Sequence, residues 1–185
     1  MRDPNVSSRR RGEDARWLIL ITEVPSKPDY LRVKLRRRVQ RLGAIGLKGA
    51  VYVLPNETET EAGFQVLRRE IAADGGAATL CVARFIDGLT DEGMVAQFNR
   101  DRDAEYANFV AACADLERRW LASYAGNLVE RQGLVAERAR YLVRLEEILG
   151  RDHFGAPLRE EAMVAVERLV VLAANQCPGH VVVRL

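Results

Sequence analysis

The order of apolar segments predicts an α+β protein, a split βαβ sandwich over residues 16–88 followed by an all-helical extension over residues 89–176. Three observations carry this. A compact Ile- and Leu-rich run opens the apolar part of the chain. Amphipathic helical spacings then alternate with strand-like runs as far as Asp87, and beyond Gly88 strand character is lost until the last residues.

"RWLILITEV", Arg16 to Val24, is a continuous apolar run closed by Pro25, as expected of a strand buried on both faces. "SKPDYLRVKLRRRVQRLG" then places Leu31, Leu35, Val39 and Leu42 within roughly 80° of one another on a helical wheel, with Gly43 as the C-terminal stop. "AIGLKGAVYVLPN" returns to strand composition. Its glycines at 43, 46 and 49 permit a bulge or a tight bend, so it reads as one bent strand or two short ones. Thr58 with Glu61 resembles a capping box, and Phe64, Leu67 and Ile71 keep helical spacing up to the "DGG" breaker at Asp74–Gly76. "AATLCVARFID", Ala77 to Asp87, supplies the last strand of the sandwich. The order β, α, β or β-β, α, β points to a ferredoxin-like sheet with helices on one face. A parallel flavodoxin-like sheet competes, but there are too few β-α units to cover both of its faces.

In the extension, Met94, Phe98, Tyr106, Phe109 and Cys113 keep helical spacing, with a break expected near Asp101. In "LVERQGLVAERARYLVRLEEILG" the positions Leu128, Val135, Leu142 and Leu149 repeat by seven, and Leu145 and Ile148 broaden the stripe. That pattern fits an antiparallel helical hairpin or a short dimerising coil. A third helix is expected over Pro157–Asn175, and "CPGHVVVRL" over residues 177–185 is strand-like.

Composition narrows the function classes. With 48% hydrophobic residues in 185, the chain can bury a substantial core without a disulfide or metal staple. Cys81, Cys113 and Cys177 are odd in number and lack C-x-x-C spacing, which fits a reducing cytoplasm better than a disulfide framework. The basic residues 1–15 lack the apolar core of a signal peptide and read as a disordered leader, and no run of about 18 apolar residues suggests a membrane span.

The net charge of +2 hides an asymmetry. Residues 1–55 hold 13 Lys and Arg against 5 Asp and Glu, while residues 56–185 hold 15 against 21. The cations concentrate on the first helix, where Lys27, Lys34, Arg37, Arg38 and Arg41 share a sector about 100° wide, with Arg32 and Arg36 on the other flank. Such a face can neutralise several phosphates of a nucleic acid, or hold an oxyanion, with Lys48 and Arg84 on the flanking strands as extensions. The alternative is that these cations cover the helix edge and pair with acidic helices of the second half. Aromatic stacking platforms are not obvious nearby.

No familiar catalytic arrangement emerges. There is no Gly-rich phosphate loop, no nucleophile elbow and no helix with paired metal ligands, and His153 and His180 stand apart from each other and from the cysteines. No cofactor is implied. The metal candidate is Glu23, a carboxylate at the end of the first strand, with Asp29 near it in sequence.

"WLILITEVPSKP", the helix ending "RRVQRLGAIGLKGAVYVLPN", the "CVARF" strand and the run "QFNRDRDAEYANF" resemble the N-terminal domain of the chromate resistance protein ChrB. The resemblance covers Arg16 to Gly150. More distantly, the strand, Pro, basic helix, Gly and strand order is similar to the central domain of the repressor PaaX and to the small ferredoxin-like CRISPR-associated nuclease subunit. The ChrB resemblance implies a cytoplasmic, chromate-responsive transcriptional regulator in a family whose longer members carry a second domain; DNA or an oxyanion such as chromate is the expected partner, and a homodimer is expected beside it. Candidate contacts are Arg36, Lys34, Arg37, Arg38, Arg41 and Lys48. The nuclease resemblance would instead put a metal on Glu23.

Overall fold

The computed structural model describes residues 16–25, 29–122 and 128–176. The leader, the strand-like segment 177–185, Lys27, Cys177 and His180 lie outside the described residues. Two compact units meet at Met94 and Val95, inside one helix.

The first unit runs β1 (Trp17–Glu23), α1 (Tyr30–Arg41), β2 (Ile45–Lys48), β3 (Val51–Pro55), α2 (Thr58–Ala73) and β4 (Ala77–Ala83). The strands lie in the order β2-β3-β1-β4 with every pairing antiparallel, which is the expected ferredoxin-like arrangement. β1 is central, which explains its near-continuous burial. Its even-numbered residues face the helices. Leu18 and Leu20 are buried there, and Val24 continues the row into a small cleft lined by Leu31, Leu35, Leu67 and Ile71 of α1 and α2. On the other face the Trp17 indole N–H donates to Asp91 Oδ1 at 2.6 Å, and its ring lies 5.8 Å from that of Phe85.

The segment after α1 forms two short strands rather than one bent one. Gly49 takes a φ of 59° at the first of two turn residues, closing the β2-β3 hairpin, and the register slips between Gly46 and Lys48. The start of α2 sits one residue earlier than the Thr58/Glu61 pattern suggests. Glu57 is the N-cap and Thr60 the reciprocal partner: its hydroxyl accepts from the Glu57 N–H at 3.2 Å and donates to the Pro55 carbonyl at 2.6 Å. Thr60 is buried, so the geometry that satisfies its hydroxyl wins over the more exposed Thr58.

The second unit is helical, formed by the continuation of α3 (Asp91–Ala122) with α4 (Leu128–Leu149) and α5 (Arg159–Gln176). The expected break near Asp101 is absent, and α3 is continuous over 32 residues. Arg102 occupies a place in the buried stripe between Phe98 and Tyr106, and its charge is met by Glu105 at 2.9 Å, so a cation stands where an apolar residue would normally mark the helix. α3 and α4 are antiparallel, because contacts that move back along α3 move forward along α4. Arg119 pairs with Glu137, the Tyr141 hydroxyl donates to the Ala112 carbonyl, Arg144 lies over the Phe109 ring, and beyond α4 Arg151 pairs with Glu105. The hairpin expectation therefore holds. Of the expected stripe, Leu145 and Ile148 are buried and Leu142 and Leu149 pack against the core, whereas Val135 is exposed and Leu134 is buried beside it instead.

Among the described residues no helix is long and apolar enough to cross a membrane.

Candidate nucleic-acid interface

α1 is shaped by its inner face. Leu31, Leu35 and Val39 are buried, and the helix ends in a glycine-dependent cap. Gly43 takes a φ of 69°, its N–H donates to the Gln40 carbonyl at 3.0 Å, and the Ala44 N–H donates to the Val39 carbonyl at 3.1 Å. Asp29 stands at the N-cap without a side-chain capping bond.

Electrostatically the helix opposes itself. It has no acidic residue in its first turn, and Arg32/Arg36, Lys34/Arg38 and Arg37/Arg41 are like-charge pairs four apart, each destabilising by about 0.2–0.5 kcal/mol. One of the three pairs is neutralised by α2. Lys34 Nζ reaches Asp74 Oδ2 at 2.6 Å, and Arg38 places Nε 2.9 Å from Glu70 Oε2 with its Nη2 on the other carboxylate oxygen. The hydrogen bond to Asp74 raises the Lys34 pKa above its ordinary value, so the ammonium is held charged. These acids belong to the neighbouring helix of the same sandwich, not to the second half of the chain.

The other two pairs stay open. Arg32, Arg36, Arg37 and Arg41 are all exposed and form no ion pair among the described residues. Tyr30, Val33, Lys34, Arg37, Arg38 and Arg41 together line an open groove along the outer side of α1. Four of the six candidate contacts, Lys34, Arg37, Arg38 and Arg41, are thus brought together, while Arg36 is exposed outside the groove lining. Lys48 is not among the lining residues; it is exposed on the edge strand β2, and Arg84 follows β4 at the opposite edge of the sheet. Sequence reasoning missed Tyr30, which is 62% exposed at the mouth of the groove. Its signal was present, because Tyr30, Lys34, Arg37 and Arg41 follow one another at helical spacing. Glu23 is exposed at the end of β1 opposite Ala77, and among the described residues no three His, Cys, Asp or Glu side chains gather into a metal-binding group.

Compared with known proteins, the family profile described as Protein ChrB, N-terminal, matches residues 32–176, which include most of α1 and all three helices of the extension. The chain belongs to the ChrB N-terminal family. It is also 29% identical over 94 residues to Protein ChrB of Cupriavidus metallidurans, a match that covers 51% of this chain and 28% of that one. The match thus spans less than a third of the relative's length. No solved structure matches.

The ChrB-like run from Phe98 to Tyr106 has a structural place within the second unit. The Phe98 ring meets His153 and Phe154 edge-on, Asp103 accepts from the Leu158 N–H at 2.9 Å, and the Tyr106 hydroxyl donates to Asp152 at 2.9 Å. Asp152 also accepts from the Ala156 N–H. Burial, with the Asp152 hydrogen bond, pushes the Tyr106 hydroxyl pKa well up, so it stays a donor. In this ChrB N-terminal chain the motif clasps the loop between α4 and α5 onto α3.

Proposed function

We propose that the protein is a non-enzymatic regulatory module of bacterial chromate resistance that binds DNA through the outer side of α1. Membership of the ChrB N-terminal family supports the association with chromate resistance. The observation that carries the binding reading is the division of labour on α1: α2 neutralises Lys34 and Arg38, while Arg32, Arg36, Arg37 and Arg41 remain exposed and unpaired among the described residues. An exposed set of like charges gains most from a polyanion, since bound phosphates relieve the repulsion and release condensed counterions. Lys48, exposed on the edge strand β2 and outside the groove lining, is a secondary candidate contact. Chromate, a dianion, would be met by the same guanidinium chemistry and would compete with phosphate for it.

Fluorescence anisotropy of a labelled duplex tests the reading. Changing Arg32, Arg36, Arg37 and Arg41 to Gln should weaken binding at low salt by about 10²-fold or more, with an unchanged circular dichroism spectrum. Binding that survives all four changes rejects the assignment. Mg²⁺-dependent cleavage of the duplex that is lost in Glu23→Gln would replace it with a nuclease.

A further inference from the structure

Within the second unit, α4 is apolar on two sides. Its inner side places Leu134, Leu145 and Ile148 in the core. Roughly opposite on the helical wheel lie Ala136, Ala139 and Val143, all exposed, Val143 at 56%, with Val135 on the flank at 39%. A helix on the surface of a bundle ordinarily turns one apolar stripe inward and covers the rest with polar residues. On α4, Ala139 and Val143 instead form the floor of a shallow groove whose rim is Arg140, Arg144 and Glu147.

The rim charges indicate the occupant. Arg140 lies one turn before Val143 and Glu147 one turn after it, and neither forms an ion pair among the described residues. Two such helices packed antiparallel about a two-fold axis near Val143 bring each Arg140 beside the Glu147 of the other copy. The same two charges are matched twice, as an isologous interface requires. We propose that a second copy of this chain docks on this face, α4 against α4, with Val143 at the centre. The apolar floor is just over two turns long, so the interface lies at the low end of specific sizes, on the order of 1,000 Å² at most, and the dimer is a weak one that dissociates in the micromolar range.

Sedimentation velocity of the full chain over a concentration series tests this. Wild type should pass from monomer to dimer, and Val143→Asp should shift the midpoint upward at least about tenfold. Arg140→Glu and Glu147→Arg should each weaken the dimer, and the double variant, which restores both cross-pairs, should recover most of the loss. These side chains are exposed and Arg140 acts in the monomer only through its charge near Glu137, so the thermal midpoint of the dilute monomer should move little, and the midpoints of the single and double variants separate a recovery of the dimer from a folding effect. A wild type that stays monomeric at ~100 µM overturns the proposal, as does a dimer that tolerates Val143→Asp or a double variant weaker than either single one.

Discussion

Arg38 grips Glu70 with two nitrogens, Nε at 2.9 Å from one carboxylate oxygen and Nη2 on the other, and so joins the basic helix α1 to α2 through a forked pair. Lys34 and Asp74 make the second joint of the brace. The brace divides the cations of α1 into those paired with α2 and those left exposed without an ion pair among the described residues.

Releasing the brace should therefore exchange stability for binding. Glu70→Gln with Asp74→Asn is expected to lower stability only slightly, because both pairs are partly solvent-exposed. The same double variant frees two cations and should steepen the salt dependence of DNA binding, log K against log salt, by up to about 2. A urea melt and a salt titration on one preparation check both halves. A double variant that binds DNA with the wild-type slope would show that Lys34 and Arg38 lie outside the binding face.

Arg102 is buried within the helical core stripe and linked to Glu105, which Arg151 also holds at 3.0 Å. Arg102→Ala should destabilise the second unit by about 2–4 kcal/mol through the void and the broken pair. Arg102→Leu should lie within about 1 kcal/mol of wild type, since Arg151 still meets Glu105 and the leucine fills the stripe. Trp120, buried in the same core, reports the transition in a Trp17→Phe background. An alanine variant as stable as wild type would contradict the packing described for α3.

The Arg119–Glu137 pair joins α3 to α4, and its hydrogen bonds lower the Glu137 pKa below the ordinary carboxylate value. A carboxyl whose folded pKa is depressed adds stability above its unfolded pKa, and that contribution fades as pH falls through the folded value. Glu137→Gln should thus melt below wild type at pH 7, and the gap should close as pH falls below about 4. Melting curves across that range decide it. A gap that persists unchanged into acid would mean the pair's charge is not what stabilises the joint.

Much of this architecture was legible because it rests on local pattern. The apolar run of β1, the stripe of α1 and the glycine stop at Gly43 each correspond to an element boundary or a buried face. The misses share a physical cause. The break expected near Asp101 is absent because Arg102 takes a core position through an ion pair that periodicity cannot register. The N-cap of α2 shifted because the hydroxyl of Thr60, rather than that of Thr58, is buried beneath the Pro55 carbonyl. The candidate site was half legible. Helical geometry gathered Lys34, Arg37, Arg38 and Arg41, but the partners that neutralise two of them lie 40 and 32 residues away, a distance only the folded sheet closes.

The most direct test is the salt slope of duplex DNA binding for wild type and for Arg37→Gln with Arg41→Gln, measured by anisotropy from about 50 to 200 mM salt. With four free arginines engaged, wild type should show a slope of about −3 to −4, and the double variant a slope shallower by about 2. A wild type that does not bind at the lowest salt, or a double variant with an unchanged slope, would contradict the claim that the outer side of α1 is the binding face.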